Sequence, residues 1–73
     1  MKVKIYITLK KGVHDPQGEA VLGTLRHMGF GGVQGVRVGK YIELDVKEAG
    51  SVKEMCEKLL ANTVIESYRF EVG

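Results

Sequence analysis

Val36-Arg37-Val38-Gly39-Lys40-Tyr41-Ile42-Glu43-Leu44-Asp45-Val46 is the stretch on which the fold turns. Its apolar residues Val36, Val38, Ile42, Leu44 and Val46 share one parity, so an extended chain lines them along a single face. A two-residue hairpin at Gly39-Lys40 would instead pair Val38 with Tyr41, Arg37 with Ile42 and Val36 with Glu43. That would mix charged and apolar side chains on both faces. The pattern predicts one long strand bent at Gly39, since interior glycine permits a kink, a bulge or the close approach of another backbone. Lys40 then falls in line with the apolar face, and Arg37, Gly39, Tyr41, Glu43 and Asp45 make a polar face free to meet a partner.

Upstream, Lys2 to Leu9 alternates strictly, with Val3, Ile5, Ile7 and Leu9 on one side, which predicts a half-buried strand. Asp15-Pro16 reads as a helix start, the carboxylate capping backbone N–H groups and proline taking the first helical position. Val21, Leu22, Leu25 and Met28 recur at helical spacing, and Gly29 closes the helix as a left-handed residue. Gly18 and Gly23 inside this helix each cost about 1 kcal/mol relative to alanine. They signal either a closely packed backbone or simple tolerance.

Downstream, Ser51 and Glu54 have capping-box spacing. Val52, Met55, Cys56, Leu59 and Leu60 then give a second amphipathic helix that ends at Asn62-Thr63, and Val64 to Val72 forms the last strand. The order is β-α-β-α-β, a single domain over residues 1–73. The expected class is α+β, a three-stranded sheet with a long kinked middle strand, covered on one face by two helices and dimerising through the sheet. The overhanging strand and open edges favour a homodimer or a dimer of dimers.

A chain of 73 residues is marginally stable alone and usually needs a disulfide, a metal or a partner. One cysteine, Cys56, excludes an internal disulfide, and His14, His27 and Cys56 lack metal-ligand spacing. Oligomerisation remains as the extra support. A net charge of +2 supplies no strong field for nucleic acid or an anionic membrane. No apolar run reaches a membrane span and the amino terminus lacks a secretory pattern, so a cytoplasmic location is expected, in keeping with the unpaired thiol.

No catalytic constellation emerges. Glu43 and Asp45 share a strand face with nothing nearby to split their pKa values. Cys56 sits inside an apolar stripe, where a buried small hydrophobe is the simpler reading than a nucleophile. His14 reads as a loop histidine in solvent, and His27 complements the carboxyl end of the first helix. Gly29-Phe30-Gly31-Gly32 lacks the lysine and the strand-to-helix setting of a phosphate loop. The aromatics do not form an RNA-binding platform. Arg37 and Lys40 suit either a protein interface or ordinary surface charge.

Four segments in the same order resemble the PurS family, the small subunit of phosphoribosylformylglycinamidine (FGAM) synthase. They are Asp15-Pro16-Gln17-Gly18, Val36-Arg37-Val38-Gly39-Lys40-Tyr41, Cys56-Glu57-Lys58-Leu59-Leu60-Ala61-Asn62 and Val64-Ile65-Glu66-Ser67-Tyr68-Arg69. The resemblance runs almost end to end, with one departure. The family usually carries several more residues, often charged, where only Lys47 to Lys53 stands here.

The resemblance implies a part in de novo purine synthesis, in the ATP- and glutamine-dependent ligase that makes formylglycinamidine ribonucleotide. In that complex the PurL synthetase carries the ATP chemistry, the PurQ glutaminase releases ammonia, and PurS is a dimeric bridge without catalytic residues or a cofactor of its own. The expected partner surface comprises Asp15, Pro16, Arg37, Gly39, Lys40 and Tyr41. A competing reading is a free-standing regulatory module of ferredoxin-like type that binds a small effector. Complex stoichiometry, the partner each residue faces and any need for a bound nucleotide are left open by the residues.

Overall fold

The alternation of Lys2–Leu9 becomes β1, and its odd-numbered side chains build the core: Val3, Ile5 and Ile7 are buried. The computed structural model describes Met1–Gly73, with α1 at Pro16–His27, β2 at Gly39–Asp45, α2 at Val52–Met55 and β3 at Glu66–Val72. α2 runs on as a π-helical turn, Cys56–Leu60. The sheet order is β2-β1-β3, antiparallel throughout, with Ile5 facing Ile42 on one side and Phe70 on the other. Val52, Cys56 and Ala61 close over the β1 side chains, with Ile42, Leu44, Tyr68 and Phe70 packed at the margin.

The β-α-β-α-β order and the three-stranded α+β layer stand as expected. Three details differ. The middle strand begins only at Gly39 and, at seven residues, is shorter than the eight of β1. Val36 and Val38 precede it because the Val38 N–H is drawn to the Asp15 carboxylate. It is also an edge strand, so β1, not β2, holds the centre.

The second difference concerns the cover. Only α2 and its π turn lie on the core, and no α1 residue belongs to the core cluster. α1 and the return segment 30–38 form an arm instead. The molecule is accordingly long and thin, 47 × 25 × 13 Å, with a radius of gyration of 15.3 Å. A compact chain of this length has about 11 Å.

The third lies around α2 and β3. Ser51 makes no side-chain cap, and α2 proper is a single turn. β3 starts at Glu66, since Asn62 holds Val64 to Glu66 in a turn: its carbonyl accepts from the Ile65 and Glu66 N–H groups and its Oδ1 from Val64.

The ends of α1 follow the residues closely. Asp15 Oδ1 accepts from the Gly18 N–H at 2.9 Å, and Pro16 occupies the first turn. At the other end Gly29 adopts φ +99°. The Gly29 N–H reaches the Arg26 carbonyl and the Phe30 N–H the Leu25 carbonyl, a Schellman closure. Of the two helix glycines, Gly18 answers to close packing, for a Cβ there would collide with the Val36 carbonyl and the Asp15 carboxylate. Gly23 has open space around it.

Candidate functional site

Five of the six residues expected at a partner surface meet where the arm joins the sheet. Asp15 is the knot. One carboxylate oxygen caps α1 through Gly18, and the other accepts the Val38 N–H at 2.9 Å, tying the outgoing helix to the returning segment. The Val38 N–H, then the Gly18 N–H, hold the Asp15 carboxyl below its ordinary pKa, with the Arg37 charge adding to them against a modest desolvation.

Arg37 donates from Nη2 to the Leu9 carbonyl, fastening the arm to the end of β1. Gly39 faces Thr8 across the ladder, and a Cβ there would collide with the Ile7 carbonyl and the Thr8 methyl. That is the close backbone approach its position suggests. Pro16 shares a hollow of about 250 Å³ with Asp15, Gly39, Lys40 and Glu66. A second hollow of about 450 Å³ lies beside Lys10, Lys11, His14 and Arg37.

Lys40 reaches across the core face, its Nζ 3.2 Å from Glu66 Oε2. Glu66 is 9% exposed, and its other oxygen accepts the Asn62 N–H at 2.7 Å. That N–H first, and Lys40 next, lower the Glu66 pKa despite its burial. Glu66 was not singled out from the sequence. Its signal was there: a carboxylate at apolar parity between Val64 and Tyr68, matching the one lysine at apolar parity on β2.

Tyr41 is separate from the other five. It lies on the open sheet face, its ring 5.3 Å from that of Tyr6, and its hydroxyl donates to Glu43 at 3.1 Å. Desolvation, then the Glu43 carboxylate, raises its pKa. Arg69 covers the other side of the row, its guanidinium 4.0 Å above the Tyr6 ring. Neither Tyr6 nor Arg69 stood out in the sequence, because a cross-strand row depends on register rather than on spacing along one segment.

The groups weighed for catalysis stay apart. Cys56 is fully buried, and burial pushes its thiol pKa up, the opposite of an activated nucleophile. His14 Nδ1 stands 3.8 Å from an exposed Glu19. No group of three His, Cys, Asp or Glu side chains gathers to hold a metal ion. No helix is long and apolar enough to cross a membrane. What the geometry can do is hold surfaces in place: a thin sheet with an open polar face, and a rigidly rooted arm.

An arm-bearing α+β layer of this kind defines an interaction subunit. Comparison with known proteins gives the family. The model of the PurS family, described as phosphoribosylformylglycinamidine (FGAM) synthase, matches residues 2–73, and the chain belongs to that family. It is thus a subunit of FGAM synthase, a ligase of purine biosynthesis.

Among its relatives, the PurS subunit of Bacillus subtilis (strain 168) is 57% identical over 76 residues, covering 97% of this chain and 90% of the relative. That of Synechocystis sp. is 49% identical over 75 residues, covering 94% of this chain and 75% of the relative. A crystal form of Bacillus subtilis PurS superposes with a TM-score of 0.91 at 56% identity, covering 99% of this chain and 96% of that one. A chain in the structure of PurLQS from Thermotoga maritima superposes with a TM-score of 0.76 at 29% identity, covering 96% and 93%.

Proposed function

We propose that this chain is the non-catalytic bridge of FGAM synthase, holding the PurL synthetase and the PurQ glutaminase together so that ammonia passes between them. The observation that carries the reading is the arm root. Asp15, Arg37 and Gly39 use their polar groups and close contacts to fix one geometry, and none is poised for bond chemistry. The match to a chain in a PurLQS assembly supports the same partners. A rigid bridge accelerates the overall reaction by position: it keeps two active sites in register and limits the escape of ammonia to solvent. The chain needs no cofactor for that task.

The bridge acts as a homodimer in the cytoplasm. The outer edge of β2 is unpaired in the sheet order β2-β1-β3, and a second copy can extend the sheet there. Arg37 and Lys40 belong to the surface that docks the larger subunits. Size-exclusion chromatography with light scattering on the three-subunit mixture checks this. The Arg37→Ala/Lys40→Ala variant is expected to lose the complex while keeping native circular dichroism, and an undiminished complex would remove these two residues from the interface.

A further inference from the structure

We propose that the hollow between the Lys10–Val13 turn and the arm root binds a small phosphate ester, with Lys10, Lys11 and Arg37 taking the phosphate. The site is separate from the bridging role and does not rest on it.

The cations gather there without partners. Lys40, Lys58 and Arg69 each pair with a glutamate. Lys10, Lys11 and Arg37 form no ion pair, yet all three line the same hollow of about 450 Å³. Like charges so grouped repel one another, and an anion held between them removes that repulsion. Of the same lining residues, Lys11, Gly12, His14 and Arg37 keep backbone N–H groups with no acceptor within the chain. Phosphate oxygens accept from charged side chains and backbone N–H groups alike.

The framework stands ready before any ligand arrives. The Lys10 N–H donates to the Ile65 carbonyl at 2.8 Å, and the Lys10 carbonyl accepts the Val13 N–H at 3.1 Å across a turn in which Gly12 has φ +89°. Arg37 Nη2 donates to the Leu9 carbonyl, which holds the guanidinium at the end of β1. Its Nε and Nη1 groups find no acceptor in the chain and stay available for a forked contact with phosphate. Binding then orders little that is not already ordered, which favours affinity.

Two carboxylates line the hollow as well. Asp15 commits one oxygen to the Gly18 N–H and the other to the Val38 N–H. Glu19 lies 3.8 Å from His14 Nδ1 and opposes an anion. Leu9, Val13 and Val36 supply an apolar wall. The volume falls within the roughly 300–1,000 Å³ of small-molecule sites. Cationic and apolar walls together suit an ester, its organic part against the valines, better than the bare ion.

The test is an amide NMR titration of the isotope-labelled full chain at constant ionic strength, with adenosine monophosphate, adenosine and inorganic phosphate as probes. The expected result is saturable shifts at Lys11, Gly12, His14 and Arg37 with the monophosphate, none with adenosine, and weaker binding of inorganic phosphate. Lys10→Ala/Lys11→Ala should weaken binding roughly tenfold, and Glu19→Gln should tighten it about two- to fivefold, both with native circular dichroism. Shifts that never saturate, or that spread equally to Lys2, Lys4, Lys47 and Lys53, overturn the site. Inorganic phosphate bound as tightly as the monophosphate overturns the ester in favour of the free ion. Either failure leaves the bridging role in place, because that reading is tested on the three-subunit mixture.

Discussion

Lys40 and Glu66 form an ion pair between two strands that never touch. Their charged atoms are 3.2 Å apart, yet β2 and β3 lie on opposite sides of β1. The lysine chain passes over the core face beside Ile7, its cross-strand neighbour, and its stem covers apolar surface there. The pair joins the arm root to the turn that starts β3, since Glu66 also accepts the Asn62 N–H.

This pair makes stability depend on acid. The folded state holds the Glu66 pKa below its ordinary value of about 4.3. Its contribution is therefore complete above that value and is lost as pH falls through the depressed folded-state pKa. Asp15, lowered by the Val38 and Gly18 N–H groups, acts in the same sense. Urea midpoints measured from pH 7 down to pH 3 should fall below about pH 4.3, and Glu66→Gln should flatten that fall. Lys40→Ala should cost about 1 kcal/mol at pH 7, because the lysine side chain is more than half exposed and its charge is screened by solvent.

The glycines separate by what surrounds them. Gly23→Ala should stabilise by up to about 1 kcal/mol, since its Cβ meets nothing and helix propensity favours alanine. Gly18→Ala and Gly39→Ala should both destabilise, the first by pushing the arm's return segment from α1 and the second by parting β2 from β1. Thermal melts of the three variants distinguish these outcomes, and a neutral Gly39→Ala would show that the β1–β2 approach is slack.

The core is small enough that one residue decides folding. Ile5 is fully buried between Ile42 and Phe70. Ile5→Ala should lose about 2–5 kcal/mol, a large share of the stability of a domain this size. Circular dichroism at 25 °C should show a substantially unfolded chain. Cys56, in the same core, should react with a thiol reagent far more slowly in native buffer than in denaturant, because burial both shields it and raises its pKa.

The sequence was legible where a physical rule acts within one segment. Alternation placed β1, the Asp15-Pro16 pair placed the start of α1, and Gly29 placed its end. Parity could not tell whether Val36 and Val38 belonged to a strand, since their fate is set by Asp15, more than twenty residues away. The amphipathic stripe of α1 correctly indicated an apolar face but not what it faces, and no core residue of its own chain does. The arm root could be read in part, through Asp15, Arg37 and Gly39. The Tyr6–Tyr41–Arg69 row was hidden, because it arises from register between strands. Glu66 and Lys40 were readable as two opposite charges at apolar parity whose pairing only the strand order reveals.

On the bridging role proposed above, this chain makes an efficient synthase of two subunits that transfer ammonia poorly without it. The most direct measurement is glutamine-dependent formation of formylglycinamidine ribonucleotide by PurL and PurQ, with and without the chain, with ammonia-driven activity of PurL as the control. The account predicts that adding the chain raises glutamine-dependent turnover strongly and leaves ammonia-driven turnover little changed. Equal glutamine-dependent rates with and without it, from partners shown competent by the ammonia control, would contradict the account.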